Sequence, residues 1–94
     1  MAADKRTVEK GLLAKGFERS ESDHHYFTYH SRDGRKTTSK TKTSHTPKEK
    51  SLGSARISQM SRQCGLKAGE FMALIECPMD RDSYERLLKE RGYF

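Results

Sequence analysis

Between His24 and Thr43 the chain alternates about a single turn, and this pattern leaves few ways to fold it. His25, Phe27 and Tyr29 fall on one face of a strand, and His24, Tyr26, Thr28 and His30 on the other. Arg32-Asp33-Gly34 is a hairpin signal. Lys36 to Thr43 follows, rich in β-branched threonine. There Lys36, Thr38, Lys40 and Lys42 share one face, and Thr37, Ser39, Thr41 and Thr43 the other. Loop length decides which faces meet. A two-residue loop, Asp33-Gly34, pairs Arg32 with Arg35 and puts Phe27 and Tyr29 among the lysines. A three-residue loop pairs Ser31 with Arg35 and sets Gly34 in the left-handed bulge position. It gathers His24, Tyr26 and His30 with Lys36, Lys40 and Lys42, and leaves His25, Phe27 and Tyr29 with the threonines. Only the second solution separates apolar from charged, so it is the expected register.

The flanking sequence supplies helices to cover the apolar face. The first is expected from about Asp4 to Lys15, capped by Asp4, striped by Val8, Leu12 and Leu13, and stopped by Gly16. A short strand, Phe17 to Ser20, follows. Thr46 to Lys50 reads as a loop. A second helix is expected from about Leu52 to Cys64, with Ser51 as cap, Ile57, Met60 and Cys64 inward, and Gly65 as stop. Glu70 to Cys77 and Arg81 to Arg91 read as two further helices. Their stripes are Phe71, Leu74 and Ile75, then Tyr84, Leu87 and Leu88, with Asp80 capping the last. The order predicts an α+β fold with one sheet face covered. With no repeat and no linker, residues 1–94 read as a single domain.

Composition narrows the function classes. Hydrophobic residues make up 32% of the 94 and charged residues 34%, so the core is small. No apolar run approaches the ~20 residues of a membrane helix, and MAADKRTVEK lacks the apolar stretch of a signal peptide. Two cysteines, Cys64 and Cys77, make neither a disulfide scaffold nor a four-cysteine zinc site. A cytoplasmic location with reduced thiols is expected. The net charge of +6 is unevenly placed. Arg35 to Lys50 holds six bases and one acid, whereas Glu70 to Phe94 holds four bases and six acids. Rows of Lys and Arg release counterions from phosphates, which makes nucleic acid the leading partner for the basic segment.

Four histidines are the candidate chemistry. Adjacent His24 and His25 point to opposite faces, and His24 and His30 lie about 20 Å apart along a strand, so no shared zinc ion is expected. Acid–base work fits better. Histidine titrates near neutrality, and on a lysine-rich face it is placed to take a proton from an RNA 2′-hydroxyl beside a phosphate. The lysines would offset charge building on the phosphorus. This chemistry needs no metal and no small-molecule cofactor, because the nucleophile belongs to the substrate.

Gly16-Phe17, Ser22-Asp23-His24-His25-Tyr26-Phe27, Asp33-Gly34-Arg35, Thr43-Ser44-His45 and Gln63-Cys64-Gly65-Leu66 occur in that order. Together they resemble the HicA toxins, small ribonucleases of bacterial and archaeal toxin–antitoxin systems. The likeness covers about Thr7 to Leu66. It implies a fold like a double-stranded-RNA-binding domain: helix, three-stranded antiparallel sheet, helix. Residues 1–66 would form that core, and residues 67–94 a helical extension with two extra helices. It implies messenger RNA cleavage, a HicB-like antitoxin protein as partner, and His24 as the catalytic histidine. Tyr26, Lys36, Lys40, Lys42 and His45 would hold the RNA. Ser22-Asp23 stands where the family has Gly-Ser, which sets an acid beside His24, and the family's proline before the strand-end histidine is missing. Two other readings use the same basic face: an RNA-binding module without turnover, and a protein-interaction domain for an acidic partner.

Overall fold

The computed structural model describes residues 3–44, 50–76 and 78–93. Along the chain run β1 (Ala3–Asp4), α1 (Lys5–Ala14), β2 (Phe17–Glu21), β3 (His25–His30), β4 (Lys36–Thr43), β5 (Ser51–Leu52), α2 (Ser54–Gln63), α3 (Ala68–Glu76) and α4 (Arg81–Glu90). The fold is α+β, with a three-stranded antiparallel sheet in the order β2-β3-β4. α1 packs on β2, α2 on β4, and α3 against both helices. Among the described residues, no helix is long and apolar enough to cross a membrane.

The hairpin takes the three-residue loop. The Ser31 N–H donates to the Arg35 carbonyl at 2.8 Å, and the Gly34 N–H to the Ser31 carbonyl at 2.9 Å. Gly34 has φ 86°, a conformation that costs glycine nothing and an L side chain a steric clash. His30 then faces Lys36, but Thr28 faces Lys40, so the register slips by two residues. A slip of two preserves every side chain's face. The extra residues bulge at Thr38, whose N–H and hydroxyl both donate to the Tyr93 carbonyl, at 3.3 and 3.2 Å.

Helix α1 starts where Asp4 accepts the Thr7 N–H at 3.1 Å, satisfying one of the helix's orphan donors. Val8 and Leu12, one turn apart, are buried, whereas Leu13 is 44% exposed, because one further residue turns it by about 100°. The expected Ser51 cap is not formed. Ser51 pairs with Asp4 and Leu52 with Ala3, and Gly53 stands at the N-cap of α2 instead.

The inward sheet residues Phe17, Phe27 and Tyr29 meet Val8, Leu12, Ile57, Met60, Phe71 and Leu74. The C-terminal helix belongs to this core. Tyr84 stacks on Phe17 at 5.7 Å and meets Tyr29 edge-on at 5.0 Å. Its hydroxyl donates to the Cys64 carbonyl at 2.8 Å and lies 2.5 Å from Ser39 Oγ. The Tyr29 hydroxyl donates to Glu85 at 2.8 Å, and Arg32 pairs with Asp82, so α4 is tied to the hairpin loop. Cys64 is fully buried, and desolvation pushes its thiol up to about 12; it packs rather than reacts. Cys77 lies outside the described residues.

Gly11 sits mid-helix, where glycine is unfavourable by ~1 kcal/mol relative to alanine. A Cβ there would lie 2.9 Å from both Cγ2 and the carbonyl oxygen of Ile75. The α1 and α3 backbones meet at this point. Gly11→Ala should therefore destabilise the protein despite the propensity gain, by ~1–3 kcal/mol of overpacking less that gain. A lowered urea midpoint with an unchanged slope would show it, and a raised midpoint would refute the close approach.

Candidate nucleic-acid interface

The register builds two unlike faces. Inward, Thr37, Ser39, Thr41 and Thr43 are buried beside Phe27 and Tyr29. His25 joins them: its Nδ1 lies 3.3 Å from Glu9 Oε2 on α1, and its side chain keeps 15% exposure. Glu9 Oε2 also accepts the Thr43 hydroxyl at 2.5 Å. His25 is thus a linking group between helix and sheet.

Outward, Tyr26 pairs with Lys42 across β3 and β4. The Lys40 ammonium lies over the Tyr26 ring, 4.6 Å from its centroid. His24 also lies beside that ring, edge-on, with centroids 6.1 Å apart. His24 occupies the bend just ahead of β3 rather than the strand itself, because its carbonyl accepts the Ser22 N–H at 3.1 Å in a tight turn. The face expected from alternation is nevertheless kept. Tyr26, Lys40 and Lys42 line, with Thr41 and Gln63, a hollow of about 240 Å³ at the edge of β4.

The two nitrogens of His24 are not equivalent. The side chain keeps 35% of its surface, but Nδ1 is closed to solvent and has no aligned hydrogen bond. Asp23 Oδ2 lies 3.3 Å from it. With Nδ1 closed to solvent beside that carboxylate, Nε2 is the nitrogen left to meet a substrate. Asp23 is itself held. Its Oδ1 accepts the Ser22 and Tyr26 hydroxyls, each at 3.1 Å. Those bonds, Ser22 first, draw the Asp23 carboxyl below its ordinary value. The same bond raises the Tyr26 hydroxyl.

Not every expected residue joins this cluster. Lys36 lies at the far end of the same face, opposite His30, whose Nδ1 lies 2.9 Å from Glu18 Oε2. That end is of mixed charge and lies away from His24. His45 falls outside the described residues. Sequence reasoning missed Arg56, whose guanidinium donates to the Lys42 carbonyl and, at 2.7 Å, to Gln59. It also gave no role to Gln63, which accepts the Thr41 hydroxyl at 2.7 Å. The signal was present: 56, 59 and 63 fall three and four apart, a polar stripe on α2 turned to the edge of β4. Among the described residues, no three His, Cys, Asp or Glu side chains are gathered as metal ligands would be.

No family model, curated protein or solved structure matches the chain. Its function is therefore read from the geometry of this face.

Proposed function

We propose that the protein is a HicA-like endoribonuclease that binds single-stranded messenger RNA on the outer face of its sheet. The observation that carries this reading is the outward cluster of His24, Tyr26, Lys40 and Lys42, with the neighbouring histidine turned inward. In this reading Tyr26 offers a ring on which a base stacks, and Lys40 and Lys42 hold the flanking phosphates. His24 Nε2 takes the proton from a 2′-hydroxyl, and that oxygen attacks the adjacent phosphorus. The bond to the 5′-oxygen breaks, and the imidazolium returns the proton to the departing oxygen. The products are a 2′,3′-cyclic phosphate and a 5′-hydroxyl. The lysines offset charge at the phosphorus.

Two helices on one face of a three-stranded antiparallel sheet, one before it and one after it in the chain, support a fold like the double-stranded-RNA-binding domain. Under the same proposal the enzyme is a cytoplasmic toxin restrained by a HicB-like antitoxin. The alternative, RNA binding without turnover, draws on Asp23, an exposed anion that repels phosphate 3.3 Å from His24.

Charge reversal at the lysines tests the interface. Lys40→Glu/Lys42→Glu should weaken single-stranded RNA binding by at least tenfold at 100 mM salt. It should also flatten the log–log salt dependence by about 1.4, two contacts at ~0.7 each. Fluorescence anisotropy with a labelled oligonucleotide measures both. Equal affinity and slope in a folded variant would remove RNA from this face.

A further inference from the structure

Beyond the edge of β4 lies a second groove, of about 470 Å³, lined by Arg62, Gly65, Leu66, Lys67, Arg91 and Tyr93. Its walls are well fixed. Tyr93 donates its N–H to the Leu88 carbonyl at 2.9 Å and accepts the Thr38 N–H, which fastens the end of the chain to the bulge of β4. A Cβ on Gly65 would come within 2.8 Å of the Tyr93 ring, so the ring lies directly against backbone. Arg91 forks onto both oxygens of Glu70, each at 3.0 Å, and donates to the Gly65 carbonyl at 2.7 Å. Its charge is spent there. Those bonds hold the Glu70 carboxyl down to about 2.

Arg62 and Lys67 differ from Arg91. Among the described residues, neither side chain forms a salt bridge, although the Lys67 charge adds to the pull on Glu70, which accepts the Lys67 N–H at 2.8 Å. Two cations outside any salt bridge thus flank an aromatic ring whose backbone is fixed to β4 and α4. That is the composition of a sequence-tolerant single-strand site, with charges for the backbone and a ring for a base. The groove also continues the first site. Gln63 lines the hollow beside Lys40 and Lys42, and Arg62, the preceding residue of α2, lines the groove. Thr38, two residues from Lys40 on β4, is bonded to Tyr93.

We propose that the C-terminal segment supplies a second RNA subsite, in which Arg62 and Lys67 hold phosphates of a single strand that has crossed the edge of β4 from Lys40 and Lys42. This rests on the reading of the outer face as an RNA site and extends it. RNA would then be held on both sides of the edge, and binding would grow with strand length.

Labelled oligouridylates of 4 and 12 nucleotides, titrated in anisotropy against the full chain, test this. Wild type should bind the longer strand at least tenfold tighter. Arg62→Gln/Lys67→Gln should lose most of that gain, leave the 4-nucleotide affinity within twofold, and flatten the salt slope for the 12-mer by about 1.4. Both substituted residues carry exposed charge, and an unchanged melting curve confirms the fold. Lys40→Glu should instead weaken both strands. If the double glutamine variant binds the 12-mer like wild type, the second subsite is refuted while the first stands. If wild type binds neither strand at low salt, both readings fall. If the substitutions abolish binding of an oligoglutamate peptide but leave RNA of either length untouched, the groove is a protein interface and the proposal is overturned.

Discussion

His24→Ala is expected to cut RNA cleavage by a factor of ~100 to ~10,000, the loss that follows removal of a lone acid–base group. RNA affinity and the melting curve should change little, because the His24 side chain is partly exposed and its Nδ1 has no aligned hydrogen bond to lose. His25→Ala is the control. It should lower stability, because Glu9 Oε2 loses a neighbour at 3.3 Å in a place with only 15% side-chain exposure. Leaving a buried polar group short of a partner costs ~1–3 kcal/mol. The two neighbours turn to opposite faces, His24 outward beside Asp23 and His25 inward beside Glu9. Unchanged cleavage in a folded His24→Ala protein would reject the catalytic assignment. Loss of cleavage in a fully stable His25→Ala protein would move the assignment to the inner face.

Tyr84→Ala should be among the most destabilising single changes. The ring is fully buried between Phe17 and Tyr29, and truncating such a ring costs ~3–5 kcal/mol. The hydroxyl's part is separable. Tyr84→Phe keeps the ring but leaves the Cys64 carbonyl and Ser39 hydroxyl without that partner, at a cost of ~1–3 kcal/mol. Urea titrations of the three proteins should give midpoints in the order wild type, phenylalanine, alanine. A loss below 1 kcal/mol for Tyr84→Ala would mean that α4 packs loosely and is no part of the core.

The sheet was largely legible in the sequence. Alternation on both strands and a glycine in the turn leave two registers, and segregation of lysine from phenylalanine selects one. The bulge at Thr38 was not legible. Its extra residues sit in a run of threonine, serine and lysine whose parity a slip of two leaves intact. The β1–β5 pair escaped for a different reason: two residues on each side carry no period. The place of Gly11 was not legible either, since only the approach of Ile75, 64 residues further on, gives a glycine there a purpose. Of the candidate site, alternation foretold the face shared by His24, Tyr26, Lys40 and Lys42. It could not reveal which nitrogen of His24 is open, because that depends on how Ser22 and Asp23 turn ahead of the strand. Nor could it separate Lys36 from the other lysines, since period two fixes the face and not the distance along it.

The most direct measurement is the chemistry of the cut ends. A long messenger RNA is incubated with the intact protein in the presence of a metal chelator, and the termini of the fragments are mapped. Attack by the internal 2′-hydroxyl, with His24 as the proton carrier, leaves a 2′,3′-cyclic phosphate on one fragment and a 5′-hydroxyl on the other, and His24→Ala leaves the RNA whole. Intact RNA after incubation with folded wild-type protein, or fragments that begin with a 5′-phosphate, would contradict it.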